Sequence, residues 1–177
     1  MALFSGARVE ELGQLLVTDI CHEGDVWYID INTRDEGKKV KNRSSHRKVP
    51  LHPEVVRCGF LEYVEERRRS GDVRLFPDLR ADKHGQLTGN WAKWWGRYAR
   101  TIGITDRRKV FHSFRHTFKT ACRAAGIGKE FHDAMTGHSS GDVGDQYGDK
   151  YPVGVLAREL EKVAYEGLDL EQLRLPQ

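Results

Sequence analysis

The sequence predicts a mainly helical α+β domain built around one small antiparallel sheet, and three observations carry that reading. First, apolar residues recur at three- and four-residue steps through most of the chain, most clearly at Phe111, Phe114, Phe118, Ala121, Cys122 and Ala125. Second, only VWYIDI, residues 26–31, combines β-branched and aromatic residues with alternation at Trp27, Ile29 and Ile31. Third, the length of 177 residues suits one domain with a real core.

Taken in order, Ser5–Leu16 reads as a helix with Ser5 as N-cap and Val9, Leu12, Leu15 and Leu16 as its buried stripe. The strand at residues 26–31 is expected to pair with Lys48–Leu51 across a long basic hairpin. Pro53 then opens a helix running to about Arg69, with Gly71 past its end. Residues 74–85 form a loop, and Thr88 caps a helix bearing Trp91, Trp94 or Trp95, Tyr98 and Ile102. Those aromatics are read as core rather than as a platform for stacking bases. The helix at Phe111 stops at Gly126, and a second short helix ends at Gly137. A last helix spans about Val153–Ala164, and the apolar tail with Leu168, Leu170 and Leu173 needs a surface to sit on.

Composition narrows the function classes. Charged residues make up 31% of the chain, which describes a heavily charged soluble surface rather than a membrane protein. No signal pattern opens the sequence, so a cytoplasmic location is expected. The three cysteines, Cys21, Cys58 and Cys122, form no CxxC pair, which argues against a disulfide framework or a structural zinc site. Net charge is only +3, yet Arg34, Lys38, Lys39, Lys41, Arg43, Arg47 and Lys48 crowd the hairpin. A local patch of that kind suits a polyanion.

The chemistry concentrates between residues 111 and 147. His112 and Arg115 lie one helical turn apart, His138 follows Gly137, and Tyr147 comes nine residues after His138. With Arg8 these side chains suit a phosphodiester: guanidinium forks neutralise the non-bridging oxygens, and a tyrosine is a nucleophile. A phenol has an ordinary pKa near ~10 and needs positive charge close by to attack. Tyr151 offers the same group a few residues on. His112 and His116 have metal-ligand spacing, but the intervening Glu of the zincins is absent, so no metal is assigned. Physics alone supports a phosphate-binding site and leaves cleavage open.

In order, SGARVEEL, KVKNRSSHRKVPLHP, HSFRHTF, TGHSS and Tyr147 resemble the motifs of the tyrosine recombinases, the phage-integrase family. The resemblance implies that family's catalytic-domain fold and a site-specific recombinase. Arg8, Lys41, His112, Arg115, His138 and Tyr147 fall on its catalytic positions, with Glu11 on the acidic residue supporting Arg8. Tyr147 would form a 3′-phosphotyrosine link, and Lys41 would protonate the leaving 5′-oxygen, with neither metal nor ATP and no other cofactor. Lys38, Lys39, Arg43 and Arg47 are candidate DNA contacts, and Lys38, Lys39 and Lys48 compete with Lys41 for the acid role. The implied partner is double-stranded DNA, bound by a homotetramer, with a monomer expected for the isolated piece. A bacterial, phage or prophage origin is implied too. Only seven residues precede Arg8, so residues 1–177 are expected to be a single catalytic domain without the family's N-terminal DNA-binding domain and with a truncated opening helix. A non-cleaving DNA-binding module of the same fold and a type IB topoisomerase-like relaxing enzyme are the alternatives.

Overall fold

The computed structural model describes residues 1–35, 38, 46–138 and 151–174. At its centre is helix α6, Ser113–Ala124, whose apolar stripe is covered by the helices around it. Phe118 and Cys122 are fully buried, and Ala121 lies beside them. Burying a side chain the size of Phe118 stabilises by about 1.5–3 kcal/mol. Helix α1, Ala2–Ser5, packs on one side of α6 and helix α7, Lys129–Thr136, on another.

Below these helices lies an antiparallel sheet of order β1–β2–β3, made of Ile20–Glu23, Val26–Ile31 and Arg47–Pro50. Ile29 faces Val49 across the β2–β3 ladder and Ile31 faces Arg47. Directly paired residues share a sheet face, so Ile29, Ile31 and Val49 bury together and Arg47 points the same way. Strand β1, paired through Ile20 with Ile29, extends the hairpin expected from sequence into a three-stranded sheet. Helix α8, Val153–Leu160, covers β2 and β3 through Leu156 and Leu160.

Two long helices expected from periodicity are each divided. Ser5–Leu16 becomes α1 and α2, Val9–Gly13, separated by Gly6 at φ 59. Ser5 therefore ends one helix instead of capping the next; Arg8 is the N-cap of α2. The segment after His52 becomes α3, Pro53–Arg57, and α4, Phe60–Arg69, and Val55 supplies the buried residue of α3. The imidazole of His52 caps α3 by accepting from the Glu54 amide at 3.1 Å.

Helix α5, Gly89–Thr101, overturns the core reading of its aromatics. Only Ala99 is buried, while Trp91, Trp94 and Tyr98 stand in solvent. Trp94 and Tyr98 stack on one another at 5.1 Å with planes 6° apart. Trp95 alone turns inward, against Phe111 and Phe114.

The tail is held to the chain through Tyr165 and Leu170, while Leu168 and Leu173 stay exposed. Tyr165 donates to the Leu3 carbonyl and packs edge-on to Phe4, and Arg174 pairs with Glu54 at 3.1 Å. Among the described residues no helix is long and apolar enough to cross a membrane.

Candidate active site

The site begins at the turn into α2. With Arg8 at the N-cap, its amide donates to Glu11 Oε2 at 2.8 Å while its guanidinium pairs with Oε1 at 2.6 Å. Glu11 is 2% exposed. A buried carboxylate is costly unless charge and hydrogen bonds compensate it. The compensation comes from β3, where Arg47 reaches Glu11 with Nη2 at 2.9 Å and Nη1 at 3.2 Å. Burial alone pushes the Glu11 carboxyl up, but the hydrogen bonds and charges of Arg47 and Arg8 prevail and hold it below its ordinary value.

This placement buries the Arg47 guanidinium, which the sequence offered as a DNA contact. Its Nε donates to the Met135 carbonyl at 2.7 Å. The signal was available: Arg47 lies two residues before Val49, so the strand period places both on the inner face. Lys38, offered in the same role, is likewise engaged inside the chain. Its ammonium is buried between Asp19 and Asp35, at 2.7 Å from each. Lys48 points to the opposite face from Arg47, where Tyr28 lies beneath its ammonium at 5.4 Å.

Helix α6 brings the second guanidinium fork. Arg115 is buried, and its Nη1 donates to the Gly6 carbonyl at 2.7 Å. Gly6 is needed there twice over. Its φ is positive, and a Cβ would stand 2.5 Å from Phe118 Cδ1. Burial, then the charges of Arg8 and Arg47, lower the Arg115 pKa to about 10. It stays protonated at neutral pH, and the guanidiniums of Arg8 and Arg47 beside it favour an incoming anion. Three guanidinium groups against one carboxylate leave a net charge of two positives (3 − 1) around Glu11.

His112 is the N-cap of α6 and packs edge-on to His116, with ring centroids 5.1 Å apart. Partial burial, then His116, Arg115 and Arg8, lower its pKa, which favours the neutral ring. A neutral imidazole donates one hydrogen bond without adding charge.

Helix α7 ends at Gly137, φ 63, and the exposed His138 follows, with its amide bonded to the Asp133 carbonyl at 3.0 Å. A Cβ on Gly137 would lie 2.9 Å from Arg47 Nη1. Close approach to that guanidinium therefore requires glycine here, immediately before His138. The Asp133 carboxylate ties the helices together through Lys119 of α6 at 2.8 Å and Lys129 at 2.5 Å. Burial would raise its pKa, but the two lysines hold it down at about 2.

The structure thus brings Arg8, Glu11, Arg115 and His112 into one electrostatic neighbourhood, with Arg47 inside it and Gly137, the residue before His138, against Arg47. Lys39, Lys41, Arg43 and Tyr147 lie outside the described residues. Tyr151 packs its ring against Phe131 at 4.9 Å, as a half-buried core aromatic. Sequence reasoning missed the backbone parts of the site, the carbonyls of Gly6 and Met135, which leave no trace in side-chain patterns. Among the described residues no group of three or more His, Cys, Asp or Glu is arranged to hold a metal ion.

An exposed mixed sheet-and-helix scaffold with this buried arginine cluster defines the class, and comparison with known proteins agrees. The model of the phage integrase family matches residues 1–152, and the chain belongs to that family. Its fold is that of tyrosine recombinase catalytic domains. The Tn1549 transposon integrase, solved in complex with transposon right end DNA, is 21% identical with a TM-score of 0.55, covering 93% of this chain and 52% of that one. XerH site-specific recombinase, solved bound to its difH substrate, is 20% identical with a TM-score of 0.53, covering 97% of this chain and 43% of that one. XerA recombinase is 19% identical with a TM-score of 0.53, covering 94% of this chain and 50% of that one. The chain therefore spans about half the length of these solved relatives. No curated protein matches the sequence significantly.

Proposed function

We propose that this domain cleaves and rejoins double-stranded DNA through a covalent 3′-phosphotyrosine at Tyr147, as the catalytic domain of a site-specific recombinase. The observation that carries the reading is the Arg8–Glu11–Arg47–Arg115 cluster beside His112, where three guanidinium groups converge. Preorganised donors of this kind lower a barrier because they need no reorganisation when charge develops.

In the reaction, Arg8 and Arg115 take the non-bridging oxygens of the scissile phosphate, and His112 and His138 add donors. The Tyr147 oxygen forms a bond to phosphorus as the phenol releases its proton to water, the bond to the 5′-oxygen breaks, and Lys41 gives that oxygen a proton. Attack by a new 5′-hydroxyl reverses each step. Two hairpin lysines are poor candidates for the acid: Lys38 is held by Asp19 and Asp35, and Lys48 lies on the far side of β3. The proposal includes double-stranded DNA as partner and assembly as a homotetramer on two duplexes.

The test is a nicked suicide duplex carrying candidate sites, incubated in EDTA with wild type and Tyr147→Phe and resolved on a denaturing protein gel. A labelled, protease-sensitive band in wild type alone is expected. A band that persists in Tyr147→Phe moves the nucleophile elsewhere, and no band in either leaves a DNA-binding module.

A further inference from the structure

We propose that Arg47 is a positioning residue whose single buried guanidinium locks the Arg8–Glu11 pair to the Met135–Gly137 turn, setting both halves of the phosphate site from the sheet. The inference rests on the reading of the site given above.

The two halves come from unrelated parts of the chain. Arg8 sits at the start of α2 and His138 follows α7, and neither segment is held by regular structure at that point. Arg47 enters from β3, whose register opposite Ile31 is fixed by the core face of the sheet. One edge of its planar fork takes Glu11 through Nη1 and Nη2, and Nε takes the Met135 carbonyl at 2.7 Å. Gly137 closes against the same group so tightly that even a Cβ would collide with Nη1. A lysine has one donor centre and cannot span both partners. The guanidinium is 7% exposed and engaged on both sides, so DNA meets what it positions and not Arg47 itself. Small displacements of a catalytic group cost rate steeply, as much as about 100-fold for ~1 Å.

Glu11 gives the proposal a signature. The charged and titratable groups around it are Arg8 from its own segment, Arg47 from β3, and Arg115 and His112 from α6. Arg47 is the partner that does most to offset the burial of Glu11, so without it the carboxyl titrates higher. Activity then falls as pH drops through that raised value. A merely structural defect leaves the shape of the pH profile unchanged.

The experiment uses Arg47→Met, Arg47→Lys and the double variant Arg47→Met/Glu11→Gln, which buries no unpaired carboxylate and guards against simple unfolding. Adduct formation on the nicked duplex at saturating protein is expected to fall about 10- to 100-fold in Arg47→Lys. In a Tyr147→Phe background, DNA affinity stays within about threefold and its salt dependence is unchanged. Arg47→Met gains an acid limb in its pH profile that the double variant lacks. A salt slope reduced by about one phosphate contact, or a rate or pH profile like that of wild type, overturns the proposal. Amide exchange reads the positioning without any cleavage. Protection of the Arg8 amide, which donates to Glu11, and of the His138 amide, which donates to Asp133, is expected to fall together in Arg47→Lys. If both stay protected, Arg47 positions neither half. A wild type that forms no adduct sinks the reaction, while exchange still decides the role of Arg47.

Discussion

Helices α5 and α6 carry aromatic and apolar residues at the same three- and four-residue spacing, yet Trp94 of α5 is 42% exposed and Phe118 of α6 is fully buried. What separates them is coverage. Helix α6 lies between α1 and α7, whereas among the described residues α5 is held inward through Ala99 and Trp95 and through Thr88, whose hydroxyl bonds Glu10. Periodicity establishes that a helix has an apolar face. It does not establish that anything sits on that face. The covered helix is also the one that carries the site, because a guanidinium can be aimed only from a backbone that does not move.

Four substitutions sharpen the contrast. The largest effect is expected for Phe118→Ala, which opens a cavity in the centre of the core and should cost about 3–5 kcal/mol in denaturant unfolding. If α6 were as loosely held as α5, the loss would be far smaller. Arg115→Lys comes next: the charge stays but the bidentate fork is lost, and adduct formation should drop about 100- to 1,000-fold while the protein stays folded by circular dichroism. Full activity in that variant removes Arg115 from the site.

Asp133→Asn tests the ties between α6 and α7. The folded pKa of Asp133, about 2, lies below its unfolded value near ~3.9, so its contribution is complete above the latter and is lost as pH falls through the former. Unfolding curves should show a deficit of roughly 2 kcal/mol at pH 7 that narrows between about pH 4 and pH 2. A deficit that does not change with pH means that the lysine pairs contribute nothing. The smallest effect belongs to Trp94→Ala on the exposed face of α5, expected within about 0.5 kcal/mol of wild type. A loss comparable to that of Phe118→Ala contradicts the exposure of that helix.

Much of this was legible in the sequence, and the failures have physical causes. The fold class and most helices followed from periodicity because a 3.6-residue stripe is hard to hide. Strand β1 was missed because Ile20 is the one strong strand former in a segment otherwise polar, and its pairing with Ile29 is tertiary information. The division at Gly6 was overridden by the stripe of Val9, Leu12 and Leu15, although glycine was the warning. Arg47 and Lys38 were read with their neighbours as one basic patch. Composition cannot tell the two sides of a strand apart; the strand period counted from Val49 would have turned Arg47 inward, and the structure shows it reaching Glu11. The boxes at Arg8, His112 and Arg115 were legible as residues, but the carbonyls of Gly6 and Met135 that hold the arginines were not.

The central claim is that this cluster works by neutralising charge on a phosphate. The most direct measurement compares wild type with Arg115→Ala on two nicked duplexes, one with an ordinary scissile phosphate and one carrying an uncharged methylphosphonate there. The account predicts that Arg115→Ala is nearly inactive on the first and regains adduct formation on the second, because the charge it can no longer offset is gone. Equal loss on both substrates would show that Arg115 acts in some other way, and the reading of the site as an anion trap would fall.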